Sequence, residues 1–151
     1  MSEQPKVLLP EIMVFAGPNG SGKSTITSMA KSVGIYINAD DIKKANLCSD
    51  IEAAVLAEKL RESALSQRID FTFETVLSTD RNLKLLQKAK EAGYFIRVIY
   101  VLTSNPDINV SRVKARVASG GHDVPEEKIR SRYEKALKLI PEVIKVSDIF
   151  H

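Results

Sequence analysis

The sequence predicts a three-layer α/β/α sandwich built on a parallel sheet of about five strands, with residues 1–151 forming one domain. Three observations carry this prediction. Apolar or β-branched runs alternate along the chain with stretches of helical period, the order that builds βαβ units. No two apolar runs are joined by a tight hairpin turn, which argues against an antiparallel meander. The first apolar run passes through a glycine-rich segment into a helix-compatible one, a strand–loop–helix order. In such a sheet crossovers are right-handed, and ligands lie beyond the carboxyl ends of the strands.

The elements follow in order. Met1 to Leu9 reads as a short lead-in. Residues 12–16 are apolar throughout, as a strand covered on both faces requires. A helix is expected over about 23–33, closed by Gly34 at a C′ position. Residues 35–38 make a second strand running into Ala39, Asp40 and Asp41, and 41–46 a short helix. Ile51, Val55, Leu56, Leu60, Ala64 and Leu65 trace a helical stripe over 50–67, with Ser49 and Asp50 as capping residues. Residues 69–74 read as the third strand. Ser78, Thr79 and Asp80 can cap a helix over about 80–92, with Leu83, Leu86 and Ala89 on one face and Gly93 as its stop. Residues 94–102 are β-branched and aromatic and form the clearest strand pattern in the chain. Asn105, Pro106 and Asp107 open a helix to about Ala118, and Pro125 opens a longer one to about Ile140. Residues 143–151 supply a last helical turn and a final strand.

A chain of this length buries about two-thirds of its unfolded surface, enough for a proper core. Its 44% hydrophobic and 27% charged content is that of a soluble globular protein. The net charge of +3 suits anionic ligands but is too small for wrapping nucleic acid. Cys48 is the only cysteine, which rules out an intrachain disulfide and a cysteine-based metal site. The N-terminus has no signal-peptide pattern and no apolar run approaches membrane-spanning length, so no membrane association and a cytoplasmic location are expected.

The chemistry begins at Gly17, Pro18, Asn19, Gly20, Ser21, Gly22, Lys23, Ser24 and Thr25, a phosphate-binding P-loop pattern. The glycines let successive backbone amides turn onto phosphate oxygens, and the following helix adds its N-terminal partial charge. Lys23 is placed to reach the β- and γ-phosphates, and the Ser24 hydroxyl to ligate Mg²⁺. The next two strand ends deliver Asp40 and Asp41, then Glu74 and Thr75. Carboxylates there would lie near the γ-phosphate, where they can hold metal-bound water or take a proton from an attacking hydroxyl. Asp40 is assigned to this chemistry and Asp41 to the cap of the helix that follows. Arg112 and Arg116 share a helix face, and Arg130 and Arg132 lie beyond the Gly120–Gly121 loop, so two arginine-bearing helices can flank a lid. Each arginine alone reads equally well as part of a solvated surface; His122 can serve as a lid residue contacting ligand, although a lone loop histidine is more often incidental.

Together these motifs resemble the zeta toxin-like P-loop kinases. The likeness rests on residues 16–25, on Ile37, Asn38, Ala39 and Asp40, on Phe73, Glu74 and Thr75, and on Arg112 to Arg116 leading through Gly120, Gly121, His122, Asp123, Val124 and Pro125 to Arg132 and Tyr133. Toxins of that family phosphorylate a sugar hydroxyl of UDP-N-acetylglucosamine. The resemblance implies Asp40 as general base for the acceptor, Glu74 at the acceptor or the metal shell, and Arg112 or Arg116 on the transferring phosphate. Thr75 and Arg132 join Asp40 and Glu74 as substrate-binding residues. His122 stands where toxin lids carry a further arginine, and the chain ends at His151 where relatives continue, so a compact member cut short at the last strand is expected.

The leading functional reading is an ATP- or GTP- and Mg²⁺-dependent kinase acting on a small hydroxyl-bearing acceptor such as a nucleotide sugar. A regulatory nucleotide-binding ATPase without acceptor transfer is the alternative. A polynucleotide kinase-like enzyme ranks last, because only 6% of residues are aromatic and none is Trp, leaving few side-chain rings on which bases could stack. The sequence does not identify an antitoxin-like protein partner.

Overall fold

The computed structural model describes residues 8–151; most of the expected lead-in lies outside them. The strand β1 (Glu11–Ala16) occupies the middle of a five-stranded sheet. Every residue of it after Glu11 is buried, so both faces of the sheet are covered. Its neighbours are β3 (Phe71–Thr75) on one side and β4 (Phe95–Tyr100) on the other, with β2 (Ile35–Ile37) and β5 (Ile149–Phe150) at the edges. All pairings are parallel. The order β2-β3-β1-β4-β5 sets the ends of β1, β3 and β2 side by side: Ala16 pairs with Thr75, and Ile37 with Phe73.

Among the described residues there are six helices: α1 (Lys23–Met29), α2 (Ala39–Asn46), α3 (Asp50–Gln67), α4 (Asp80–Glu91), α5 (Pro106–Ala118) and α6 (Glu126–Val146). Side chains alternate across a strand, and here one face gathers Ile12, Val14, Phe71, Phe73, Ile96 and Val98 into a single apolar cluster. Ala57 and Ala64 of α3, Leu83 and Leu86 of α4, and Val143 and Val146 of α6 close that cluster. On the opposite face lies the fully buried Thr72. Its hydroxyl accepts from the Val33 amide at 2.8 Å and donates to the Val33 carbonyl at 2.6 Å, tying the segment after α1 to the sheet.

That tie explains the shortest helix. The expected helix over 23–33 ends at Met29, with Ala30 already extended. Val33 finds its partners on β3 rather than in a further helical turn, and Gly34 packs against the Asp70 carbonyl in the approach to β2. The α2 helix begins at Ala39, two residues early, because Asn38 and not Asp41 is its cap: the Asn38 side chain accepts from the Asp40 amide at 2.8 Å. In α3 the buried face consists of Ala53, Ala57, Ala64 and Leu65. The small alanines allow close approach to the sheet and turn Ile51, Val55, Leu56 and Leu60 outward, so those four members of the expected stripe are exposed. The last helix continues six residues past Ile140 and contains Pro141. Proline removes one backbone donor there, but Val143 and Val146 lie buried against the α4 side of the core and carry the helix on. Among the described residues no helix is long and apolar enough to cross a membrane.

This packing separates two leucines of similar appearance in sequence. Leu86→Ala, at a position with no exposed surface, is expected to cost about 2–5 kcal/mol in urea denaturation. Leu60→Ala, at a side chain 45% exposed, is expected to cost about 0.5 kcal/mol or less. Comparable losses at the two sites would contradict the orientation of α3.

Candidate active site

The glycine-rich loop leaves β1 at a point fixed from both sides. The Gly17 amide donates to the Thr75 carbonyl at 3.1 Å, and the Val101 amide to the Ala16 carbonyl at 2.8 Å. A Cβ on Gly17 (φ +150°) would stand 2.1 Å from the Val101 oxygen, and one on Gly20 (φ +76°) 2.3 Å from the Asn109 oxygen. Those separations are far inside van der Waals contact, so the loop runs at a distance from its supports that only glycine permits. Loop residues 19–25 then line one wall of a cleft of about 720 Å³, with Asp40 and Glu74 on another wall and Arg112 and Arg116 on a third. Because α1 has only seven residues, the loop amides carry more of the attraction for an anion than a helix dipole can.

Lys23 lies partly buried at the floor of this cleft. Its ammonium donates to the Gly17 carbonyl at 2.5 Å and the Pro18 carbonyl at 3.3 Å. Burial pulls its pKa down to about 8; Glu74 and Asp40 oppose that shift, and Arg116 adds to it. The lysine is therefore parked on its own loop, an arrangement that phosphate oxygens can replace with stronger charge-assisted bonds.

The acidic wall is organised by Asn38 at the end of β2. One atom of its amide caps α2; the other, Nδ2, donates to Glu74 Oε2 at 2.8 Å and to the Tyr36 hydroxyl at 3.2 Å. Thr27 of α1 donates to Glu74 Oε1 at 2.6 Å. Both carboxylate oxygens of Glu74 are thus engaged, and the residue joins α1, β2 and β3 beneath the cleft. Burial pushes the Tyr36 hydroxyl up to about 12, so it remains neutral beside Glu74. Asp40, in the first turn of α2, faces the cleft. Thr75 lines the cleft too, but its hydroxyl accepts from the Leu77 amide at 3.0 Å and from Asn82 at 2.9 Å, closing the turn after β3.

Two of the four arginines, Arg112 and Arg116, line this cleft, and a third, Arg132, reaches its loop at Asn19 from a smaller chamber alongside. Arg112 donates to the Ser21 carbonyl at 2.9 Å, Arg116 to the His122 carbonyl at 3.1 Å, and Arg132 to Asn19 Oδ1 at 3.1 Å. Arg130 does not join them: it pairs with Asp107 at 2.7 Å and Glu126 at 3.1 Å, bracing α6 against the start of α5. Ser24 lines the cleft beside Lys23. Its hydroxyl and the facing carboxylates are hard oxygen donors of the kind Mg²⁺ takes. No group of three His, Cys, Asp or Glu side chains able to hold a metal occurs among the described residues. Mg²⁺ held by Ser24 would thus take its remaining ligands from phosphate and water, which fits its reluctance to dehydrate.

The sequence reading passed over Asn109 and Thr103, and gave Tyr133 no task in the site. Asn109 is completely buried; its Nδ2 donates to the Asn19 carbonyl at 2.9 Å, and its Oδ1 accepts from the Thr103 hydroxyl. Tyr133 of α6 donates to the Thr103 carbonyl at 2.6 Å. The chain of bonds therefore runs from α6 through the end of β4 to the middle of the loop. A signal was present: Asn109 falls on the same helical face as Val110 and Val113, where a polar side chain needs a buried partner.

A family model described as Zeta toxin matches residues 2–149. A protein of Haemophilus influenzae, described as uncharacterized, is 35% identical over 133 residues, which cover 84% of this chain and 95% of that one. Among solved structures, that of the PezAT chromosomal toxin–antitoxin system of Streptococcus pneumoniae superimposes with a TM-score of 0.67 at 17% identity, covering 95% of this chain and 68% of the other. AvrRxo1-ORF1:-ORF2 with ATP gives a TM-score of 0.70 at 18% identity over 91% of this chain and half of the other. At such identities the two structures establish the likeness of fold.

Two outcomes follow from the loop and its lysine. Asn109→Ala strands the Asn19 carbonyl and the Thr103 hydroxyl, so chemical denaturation is expected to show a loss of about 1–3 kcal/mol and calorimetry a weaker affinity for ATP. Because Lys23 releases its proton near pH 8 in the folded protein and at 10.5 when unperturbed, the unfolded chain holds more protons between those values. Stability of the ligand-free protein should rise over that window. Triphosphate affinity moves the other way, falling by up to about tenfold per pH unit above 8, and Lys23→Met should abolish the rise in stability of the ligand-free protein over that window.

Proposed function

Because the chain belongs to the zeta toxin family, we propose that it is a P-loop kinase that moves the γ-phosphoryl group of ATP or GTP to a hydroxyl of a small molecule. The observation that carries this reading is the meeting of Lys23, Asp40 and Arg116 around one cleft, with Asp40 also lining a second, smaller chamber next to it. A base that borders both spaces can serve an acceptor in one and a phosphoryl group in the other.

In this reading the loop amides of residues 20–25 and Lys23 hold the β- and γ-phosphates, and Ser24 contributes its hydroxyl to Mg²⁺, which neutralises phosphate charge when bound. Asp40 accepts the proton of the acceptor hydroxyl as its oxygen bonds to the γ-phosphorus, and the bond to the bridging oxygen breaks to release the nucleoside diphosphate. Arg112 and Arg116 supply positive charge beside the transferring group. Glu74, held by Thr27 and Asn38, keeps the acidic wall in place and raises the proton affinity of Lys23; it is a positioning residue rather than the base. A regulatory ATPase would share the donor half of this site, so acceptor-dependent turnover separates the two.

Asp40→Asn is expected to lower transfer from γ-labelled ATP by about 10²–10⁴-fold, while calorimetry finds nucleotide affinity nearly intact. Lys23→Ala should instead remove nucleotide binding. Native transfer rates in the Asp40→Asn protein would refute the assignment of the base.

A further inference from the structure

We infer that the acceptor is a small molecule carrying one anionic group, held by Arg116 and Arg132 in the chamber beside the nucleotide cleft; the inference rests on the kinase reading and gives its substrate class. The chamber holds about 290 Å³ and shares Asn19, Ala39, Asp40 and Arg116 with the larger cleft. Pockets for drug-sized ligands run from about 300 to 1,000 Å³, so this one suits a molecule of monosaccharide size and is cramped for a nucleotide sugar. Asp40 stands on the boundary, where a hydroxyl of the occupant would face the phosphoryl group.

The charge pattern selects the class. Among the described residues, Arg116 and Arg132 have no carboxylate within ion-pairing distance. Each is instead oriented by one neutral oxygen, the His122 carbonyl for Arg116 and Asn19 Oδ1 for Arg132. Asp50, on the same lining, is matched by Lys43 at 2.7 Å. Asp40 is then the one chamber carboxylate without a cationic partner, and it shares the lining with two guanidiniums. Guanidinium forks match carboxylate and phosphate oxygens bidentately, so an anionic substituent completes the pattern and a neutral polyol does not. The opposite flank of the cleft offers no equal alternative, since Glu74 and Thr75 are already bonded to Thr27, Asn38, Leu77 and Asn82.

The test measures phosphoryl transfer from γ-labelled ATP to matched pairs, D-gluconate against D-glucitol and glucose 6-phosphate against glucose, with UDP-N-acetylglucosamine alongside. The anionic member of at least one pair is expected to have a kcat/KM about ten- to a hundredfold higher, the value of one charge-assisted contact. Arg132→Gln should bring that ratio close to one, a change in selectivity that general loss of structure does not produce. Arg130→Gln, outside the site, should leave the ratio untouched. Preference for the neutral members or for UDP-N-acetylglucosamine overturns the inference and leaves the kinase reading standing. ATP hydrolysis with transfer to no acceptor overturns both.

Discussion

The closeness of α5 to the phosphate loop is the constraint on which the site depends. At Gly20 the loop lies against the Asn109 carbonyl with no room for a Cβ, and one residue earlier the Asn109 side chain holds the Asn19 carbonyl. A loop rich in glycine has many conformations available, and preorganised binding requires that most be removed before the ligand arrives. The buried amide of Asn109 does this from one side and the ends of β3 and β4 from the other. Since Thr103 and Tyr133 extend the same chain of bonds into α6, the helices bearing Arg112, Arg116 and Arg132 are referenced to the loop they serve.

The acidic wall is built by a parallel logic. Asn38 uses one end of its amide to start α2 and the other to hold Glu74. The first use places Asp40 at the rim of the cleft; the second fixes the carboxylate beneath Lys23. Neighbouring acids thus have different tasks because their surroundings differ: Glu74 is consumed by Thr27 and Asn38, whereas Asp40 faces open space shared by two cavities.

Much of the fold was legible because it rests on local rules. Alternating strand and helix periods gave the parallel sheet, and Ser49 and Asn105 mark helix starts by their side-chain caps. What failed were boundaries decided by tertiary partners. No propensity in residues 30–33 reveals that Thr72 will bond to Val33, and Pro141 reads as a stop unless the burial of Val143 and Val146 is known. The inner face of α3 was read correctly at Ala64 and Leu65 and misread before them for a related reason: counting large aliphatics favours Leu60, while close packing on a sheet favours Ala53 and Ala57. In the site, the loop and the strand-end acids are short-range patterns and were visible. Whether a given arginine turns inward or, like Arg130, pairs on the surface is settled by contacts many residues away.

The central claim is that Lys23 is parked on carbonyl oxygens that phosphate displaces. A crystal structure with a non-hydrolysable ATP analogue and Mg²⁺ tests it directly. The account predicts that the Lys23 ammonium leaves the Gly17 and Pro18 oxygens for the β- and γ-phosphates, while the bond from Asn109 to Asn19 is unchanged. A triphosphate bound elsewhere, or a Lys23 still on Gly17 with the cleft occupied, would contradict it.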